Sequence, residues 1–195
     1  MKENIFNGMK FDSCQMYEIQ KGIEKDLDVT LYADPKYNSI QMKQIRYGLE
    51  DGLDVSCYAD TKFNSAQMCE IREGLREGLD ISKYADPKFD RMQMQSIRLG
   101  LEWGLDVSCY ADTKFNSNQM DEILFGLADG LDAALYADPK FTDVQMKIIR
   151  ICLKQGLDIS KHFDLKFSQR EIRMIIQELE SKLYKMNNAV EVSNP

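Results

Sequence analysis

One text governs what this chain can fold into. Tyr32 to Cys57 reads Y-A-D-P-K-Y-N-S-I-Q-M-K-Q-I-R-Y-G-L-E-D-G-L-D-V-S-C, and the wording returns every 26 residues, with Tyr-Ala-Asp at 32, 58, 84, 110 and 136. Degenerate copies begin at Phe6 and His162, so seven copies fill residues 6–195. Self-similarity at a fixed period of roughly 20 to 50 residues marks a repeat architecture, in which each unit buries its apolar face against its neighbours.

Within a copy, the main helix is announced by a polar cap with Gln or Glu three residues on. The pairs are Asp12 with Gln15, Asn38 with Gln41, Asn64 with Gln67, Asp90 with Gln93, Asn116 with Gln119, Thr142 with Gln145 and Ser168 with Glu171. Such capping boxes satisfy the orphan amides of a helix N-terminus and predict starts near 13, 39, 65, 91, 117, 143 and 169. Apolar residues then fall three and four apart, as in Met42, Ile45 and Leu49 or Met94, Ile97 and Leu101, which places them on one core-facing stripe.

The helix should stop at Gly52, Gly78, Gly104, Gly130 and Gly156, each followed by a leucine that can close a C-terminal capping contact. Asp26 and Lys182 replace the glycine at the two ends. The next residue, Asp in six copies from Asp28 to Asp158, reads as the cap of a short second helix that ends before Pro35, Pro87 and Pro139. A second glycine sits inside the helix at 22, 48, 74, 100 and 126. It costs about 1 kcal/mol against alanine, and close backbone packing between repeats is the expected compensation.

The expected fold is therefore all-α: a single domain over residues 1–195, an elongated α-solenoid of seven 26-residue repeats, each with one long and one short helix. The last helix, from residue 168 onward, loses both glycines and should be the longest, with a frayed tail at 188–195.

Charge and motifs narrow the function. Lys and Arg total 25 against 32 Asp and Glu, and a formal charge of −7 opposes the phosphate neutralisation on which general nucleic-acid binding depends. No apolar run reaches the length of a membrane span and the N-terminus has no apolar signal core, so a cytoplasmic protein is expected. The five cysteines are odd in number and scattered, which fits reduced thiols.

The single histidine, His162, occupies the slot of a repeating tyrosine and reads as a packing residue. Calcium-loop, zinc-pair and phosphate-loop patterns are missing, so no catalytic residue, metal or cofactor is assigned. Arg46, Arg72, Arg98 and Arg150 share one helix position and read as a ladder of pairs with the repeating carboxylates.

The positions that the copies do not share are more informative. Ile40, Lys43, Tyr47 and Asp51 in one copy, and Met92, Gln95, Leu99 and Trp103 in another, lie about 150° to 180° from the core stripe at 100° per residue. Drift on an exposed face should leave mostly polar residues. Here the row carries Tyr47, Met92, Leu99, Trp103, Phe125, Val144, Ile148 and Ile151, an apolar series that points to an interface.

Trp103, the only tryptophan, is the natural anchor. Residues 110–135 are the most acidic copy, with Asp112, Asp121, Glu122, Asp129 and Asp132 against Lys114 alone. The candidate partner-binding set is Tyr47, Met92, Leu99, Trp103, Asp121, Phe125, Asp129 and Ile151, facing a basic protein groove. The alternative is a nucleic-acid binder using Lys147, Arg150, Lys154, Arg170 and Arg173.

The wording G-L-D-[VI]-S-x-Y-A-D-P-K-F followed by Q-M-x-E-I-R-x-G-L resembles short helical-repeat arrays encoded by gut anaerobic bacteria, their phages and mobile elements. The resemblance covers almost the whole chain; copies one and seven depart from it, as do Thr61 and Thr113 at the proline position. Some proteins of that setting are similar to anti-CRISPR inhibitors, and the resemblance implies a small acidic protein that occupies a nucleic-acid-handling effector nuclease in a bacterial host cell. It carries over no site residues.

Overall fold

A computed structural model describes residues 8–156 together with Met174. Most of the seventh copy, with His162, Ser168, the last helix and the tail 188–195, lies outside the described residues. Residues 8–156 contain α-helices, 3-10 turns and no strand. The α-helices are α1 (Ser13–Glu24), α2 (Ser39–Glu50), α3 (Ser65–Arg76), α4 (Arg91–Glu102), α5 (Ser117–Ala128) and α6 (Asp143–Lys154).

The chain divides into two compact units, Met1–Thr113 and Lys114–Pro195. In the first, α1 packs on α2, α2 on α3 and α3 on α4; in the second, α5 packs on α6. Helices are thus packed in sequence order. None of the described helices is long and apolar enough to cross a membrane.

Every one of these helices is 12 residues long and opens on a complete capping box. At α2, Asn38 Oδ1 accepts from the Gln41 N–H at 2.9 Å while Gln41 Oε1 accepts from the Asn38 N–H at 2.9 Å. The C-termini close as expected from Gly-Leu. Gly52 lies at φ +70°, its N–H donates to the Leu49 carbonyl at 3.1 Å, and the Leu53 N–H donates to the Gly48 carbonyl at 2.9 Å. These two bonds form a Schellman cap, in which the residue past the helix end must be left-handed. Copy one makes the same bonds with Asp26 held at φ +55°, a conformation that costs a non-glycine residue on the order of 1 kcal/mol.

The short helix is smaller than its sequence signal implies: a single 3-10 turn of three residues, at Val29–Leu31, Val55–Cys57, Ile81–Lys83, Val107–Cys109 and Ala133–Leu135. Its aspartate cap is as expected, Asp54 Oδ1 accepting from the Ser56 N–H at 3.0 Å. The aspartate of Tyr-Ala-Asp starts the next turn. Asp34 accepts the Lys36 N–H on its side chain and the Tyr37 N–H on its carbonyl, both at 3.0 Å. Thr61 replaces proline in copy three and the same turn forms, with Asp60 bonds of 3.0 and 3.1 Å. Proline is therefore dispensable for the geometry.

The core departs from the expected stripe in two ways. Met42 and Ile45 are fully buried, as are Met68 and Ile71 or Met94 and Ile97, but Leu49 and Leu101 are only half-buried. The tyrosine of Tyr-Ala-Asp, by contrast, is a core residue. Tyr32, Tyr58, Tyr84, Tyr110 and Tyr136 have no exposed surface and are among the largest buried side chains. Each of the first three reaches back 14 residues, its hydroxyl donating to the carbonyl of Glu18 at 3.0 Å, of Gln44 at 3.2 Å and of Glu70 at 3.2 Å.

That reach explains the mid-helix glycine. A Cβ on Gly74 would stand 1.8 Å from Tyr84 Oη. A tyrosine side chain seated in the notch compensates the helix-weakening glycine, where the repeat wording alone suggests backbone against backbone.

Side chains also join consecutive copies. The capping-box glutamine reaches beyond its own helix: its Nε2 donates to a carbonyl 22 residues on, Gln15 to Tyr37 at 2.6 Å, Gln41 to Phe63 at 2.8 Å and Gln67 to Phe89 at 2.7 Å. That carbonyl immediately precedes the next N-cap. Arginine provides the other link, over 28 residues, with Arg46 Nε to Glu18 at 2.8 Å, Arg98 Nε to Glu70 at 3.1 Å and Arg150 Nε to Glu122 at 2.9 Å.

Two measurements check this core. Gly74→Ala should destabilise by about 2–3 kcal/mol through overpacking, and Tyr84→Phe by about 1 kcal/mol through loss of the hydrogen bond. Around Gly74 the remaining atoms stand at 3.1 Å or more. The double variant should therefore be at least about 1 kcal/mol more stable than additivity predicts in urea denaturation; an additive cycle would place the clash elsewhere.

Burial also pushes the Tyr32 hydroxyl up to about 12 and raises Tyr58 and Tyr84 in the same way. An unfolded tyrosine releases its proton near pH 10, while the folded one keeps it. Above about pH 10 the native state binds more protons than the unfolded state, so stability must fall as pH rises. Tyrosinate absorbance at 295 nm should show an early phase from exposed tyrosines and a late one that coincides with loss of helical ellipticity at 222 nm.

Candidate partner-binding face

The unshared helix positions are the second, fifth and ninth residues of each helix and the C-cap residue. Capping and the core stripe fix their direction: in α2 to α6, where positions three, four and seven bury Gln, Met and Ile, the residues opposite must face away. In the first unit this leaves Ile40 57% exposed and Met92 and Trp103 each 46% exposed. In the second it leaves Phe125 and Val144 exposed. Trp103 is the C-cap of α4, its N–H bonded to the Leu99 carbonyl at 3.0 Å and its neighbour the left-handed Gly104. A fixed backbone thus presents the indole.

The predicted residues do not all sit alike. Met92, Trp103, Phe125 and Asp129 are exposed, whereas Tyr47, Leu99, Asp121 and Ile151 are half-buried. Tyr47 has a job within the molecule. Its ring lies 4.7 Å from the Arg46 guanidinium and 5.5 Å from both Arg72 and the Lys43 ammonium, so it lids the cations of two copies. Phe125 stands similarly over Arg150 at 5.7 Å. Asp129 holds Lys154 at 2.6 Å and Arg150 at 3.7 Å.

Ile148 does not belong to this face. It occupies the helix position that holds Glu18, Glu70 and Glu122 elsewhere, and it is half-buried. Conversely, sequence reasoning misses Tyr17, 58% exposed, because copy one reads as a degenerate cap. It also misses Leu31 and Leu135, exposed on the 3-10 turns, because the outward row is traced on the helices alone. Alignment of residue 17 with Lys43 and Cys69 flags the first.

Two of the three described members of the alternative basic set are engaged. Arg150 is held by Glu122 and Asp129, and Lys154 by Asp129, while Lys147 is exposed; Arg170 and Arg173 lie outside the described residues.

A shallow groove opens in each unit, at largely corresponding repeat positions. One, of about 330 Å³, lies between the N-terminal halves of α1 and α2 and is lined by Cys14, Tyr17, Ile40 and Lys43. The other, of about 250 Å³, lies between α5 and α6 and is lined by Asp121, Phe125, Asp143, Val144 and Lys147. Beneath the first, Glu18 and Arg46 are buried as a pair. Burial works against the charge of Arg46, but the hydrogen bonds and charges of Glu18 and Glu50 more than offset it and hold the guanidinium above its ordinary value.

Breaking such a pair from one side strands a buried charge, which costs about 3–5 kcal/mol. Arg46→Leu should show that loss in urea denaturation. Glu18→Ser combined with Arg46→Leu removes both charges and should be at least about 1 kcal/mol more stable than Arg46→Leu alone. A double variant no better than the single would remove the stranded carboxylate as the cause.

Comparison with protein-family models, with curated proteins and with solved structures finds no match to this chain.

Proposed function

We propose that this chain is a non-catalytic helical-repeat scaffold that binds a protein partner through the unshared positions of its helices. The observation that carries the reading is the recurrence of large exposed apolar side chains, Ile40, Met92, Trp103, Phe125 and Val144, at positions where the copies differ. Exposed apolar groups in series on a water-facing surface mark interaction sites, and aromatic residues among them dominate binding energies.

The scaffold we envisage is a continuous seven-copy solenoid. Its support is a coupled substitution 28 residues apart. Where the carboxylate position holds Ser96, the residue 28 on is Leu124 in place of arginine, and where it holds Ile148, that residue is Ile176. Joint replacement of both members is what a common stacking register requires, since a lone charge left against an apolar partner would be costly.

The partner class is a basic protein, in line with the net charge of −7 and the acidic copy at 110–135. Following the resemblance of the repeat wording, that partner is an effector nuclease of a bacterial cytoplasm, blocked by occupation of the groove that holds its nucleic acid. Charge argues against direct nucleic-acid binding by the chain itself.

Affinity capture from the cells that encode the chain, followed by titration of the purified partner, tests the reading. Trp103→Ala with Phe125→Ala should weaken binding by about 100-fold, the loss of two aromatic anchors. Unchanged affinity in this double variant, with native ellipticity, would remove the face from the interaction.

A further inference from the structure

We propose that the open side of α1 is a dimerisation surface, paired with the same side of α1 in a second copy of this chain. The inference is independent of the outward row and rests on how the copies stack. In the first unit, α2, α3 and α4 turn their eighth position toward the helix before them. Nε of Arg46, Arg72 and Arg98 bonds there to Glu18, Gln44 and Glu70 at 2.8, 3.3 and 3.1 Å. In α4 the first position does the same, Arg91 Nε reaching Glu70 at 3.1 Å. Position four lies between these two on one stripe, about a turn from each. Its methionine is fully buried at Met42, Met68 and Met94.

α1 carries the same stripe with no described helix before it. Met16 is 45% exposed, and Ser13 and Gln20 are exposed beside it. Toward the following copy α1 is fully packed, with Ile19 and Tyr32 buried and Glu18 bound by Arg46. What Met16 lacks is therefore a neighbour on the preceding side. The open stripe continues the interface by which α2, α3 and α4 are stacked.

Its letters select the occupant. End copies of a repeat array are kept soluble by a polar outer face, yet Met16 retains the apolar letter of the internal copies. Position eight is the one that changes, to Gln20 where α2, α3 and α4 have arginine. Head-to-tail stacking of a further array in the usual register draws on that arginine, and Gln20 has no guanidinium to donate. A two-fold pairing has the opposite requirement. It gathers both copies of position eight into one small patch, where two arginines would repel and two glutamine amides can each donate and accept. The charges flanking the stripe on α1 are already engaged, Asp12 as the helix cap and Glu24 with Lys21 at 2.7 Å. The stripe thus meets its own copy as a neutral surface with methionine at its centre.

Sedimentation of the full chain from about 5 to 500 μM tests this, the range in which an interface of one helix stripe should associate. A monomer–dimer isotherm is expected, with nothing larger. With methyl-labelled methionine, the Met16 resonance should move over the same range while that of Met92, on the outward row, stays fixed. Met16→Glu should weaken the dimer at least about tenfold by setting carboxylates in its apolar centre. Gln20→Arg, which restores the internal letter, should weaken it as well, both variants keeping native ellipticity.

A monomer at every concentration, open-ended growth, a dimer indifferent to Met16→Glu, or one strengthened by Gln20→Arg would each overturn the proposal. So would a Met16 resonance that ignores concentration and moves on deletion of residues 1–7, since the occupant would then be the chain's own N-terminal segment. Trp103 and Phe125 lie off this stripe, so the partner-binding reading stands or falls by its own double variant.

Discussion

A three-turn helix does not stand in water by itself, so everything in this protein depends on how one helix is tied to the next. The capping-box glutamine does this with a single side chain. Its oxygen closes the N-terminus of its own helix and its amide nitrogen holds the carbonyl just ahead of the following one, at 2.6 Å for Gln15 to Tyr37. Local helix initiation and the joining of copies are one event at one residue. With an exposure of only 4–8% where it is described, this glutamine has no room for a solvent partner.

A second tie runs through tyrosine. The glycine inside each helix looks like a weakness when the helix is read alone, yet it is the socket for a fully buried aromatic ring whose hydroxyl meets a backbone carbonyl. Together with methionine and isoleucine, these tyrosines fill the core within each unit. Burial of a ring of this size stabilises by about 1.5–3 kcal/mol, more than the glycine costs. The repeat is therefore stable as a pattern, even though several of its letters are individually poor helix formers.

Distance along the chain decides what can be read from the letters. Caps, left-handed glycines, the aspartate of the 3-10 turn and the Asp-x-x turn are settled by residues two to five apart, and each stands where its local chemistry puts it. Tyrosine and glutamine are harder, because their partners lie 14 and 22 residues away and a polar letter gives no hint of burial. Leu49 and Leu101, placed in the core by periodicity, are only half-buried, while the tyrosine that arrives from outside the helix is fully buried. On the outward face, the letters separate shared from unshared positions, but they do not distinguish Trp103, which stands in the open, from Tyr47, which covers two arginines.

The side-chain bonds that join copies within each unit span 14 to 28 residues, and so reach only the adjacent copy. Such wiring makes length adjustable: excising or duplicating a 26-residue segment such as 32–57, after which Gln15 would meet the Phe63 carbonyl and Glu18 would meet Arg72, restores both links with the same offsets. Recombination within the gene could thus lengthen or shorten the molecule, and shuffle which surface letters adjoin which, without redesigning its interior.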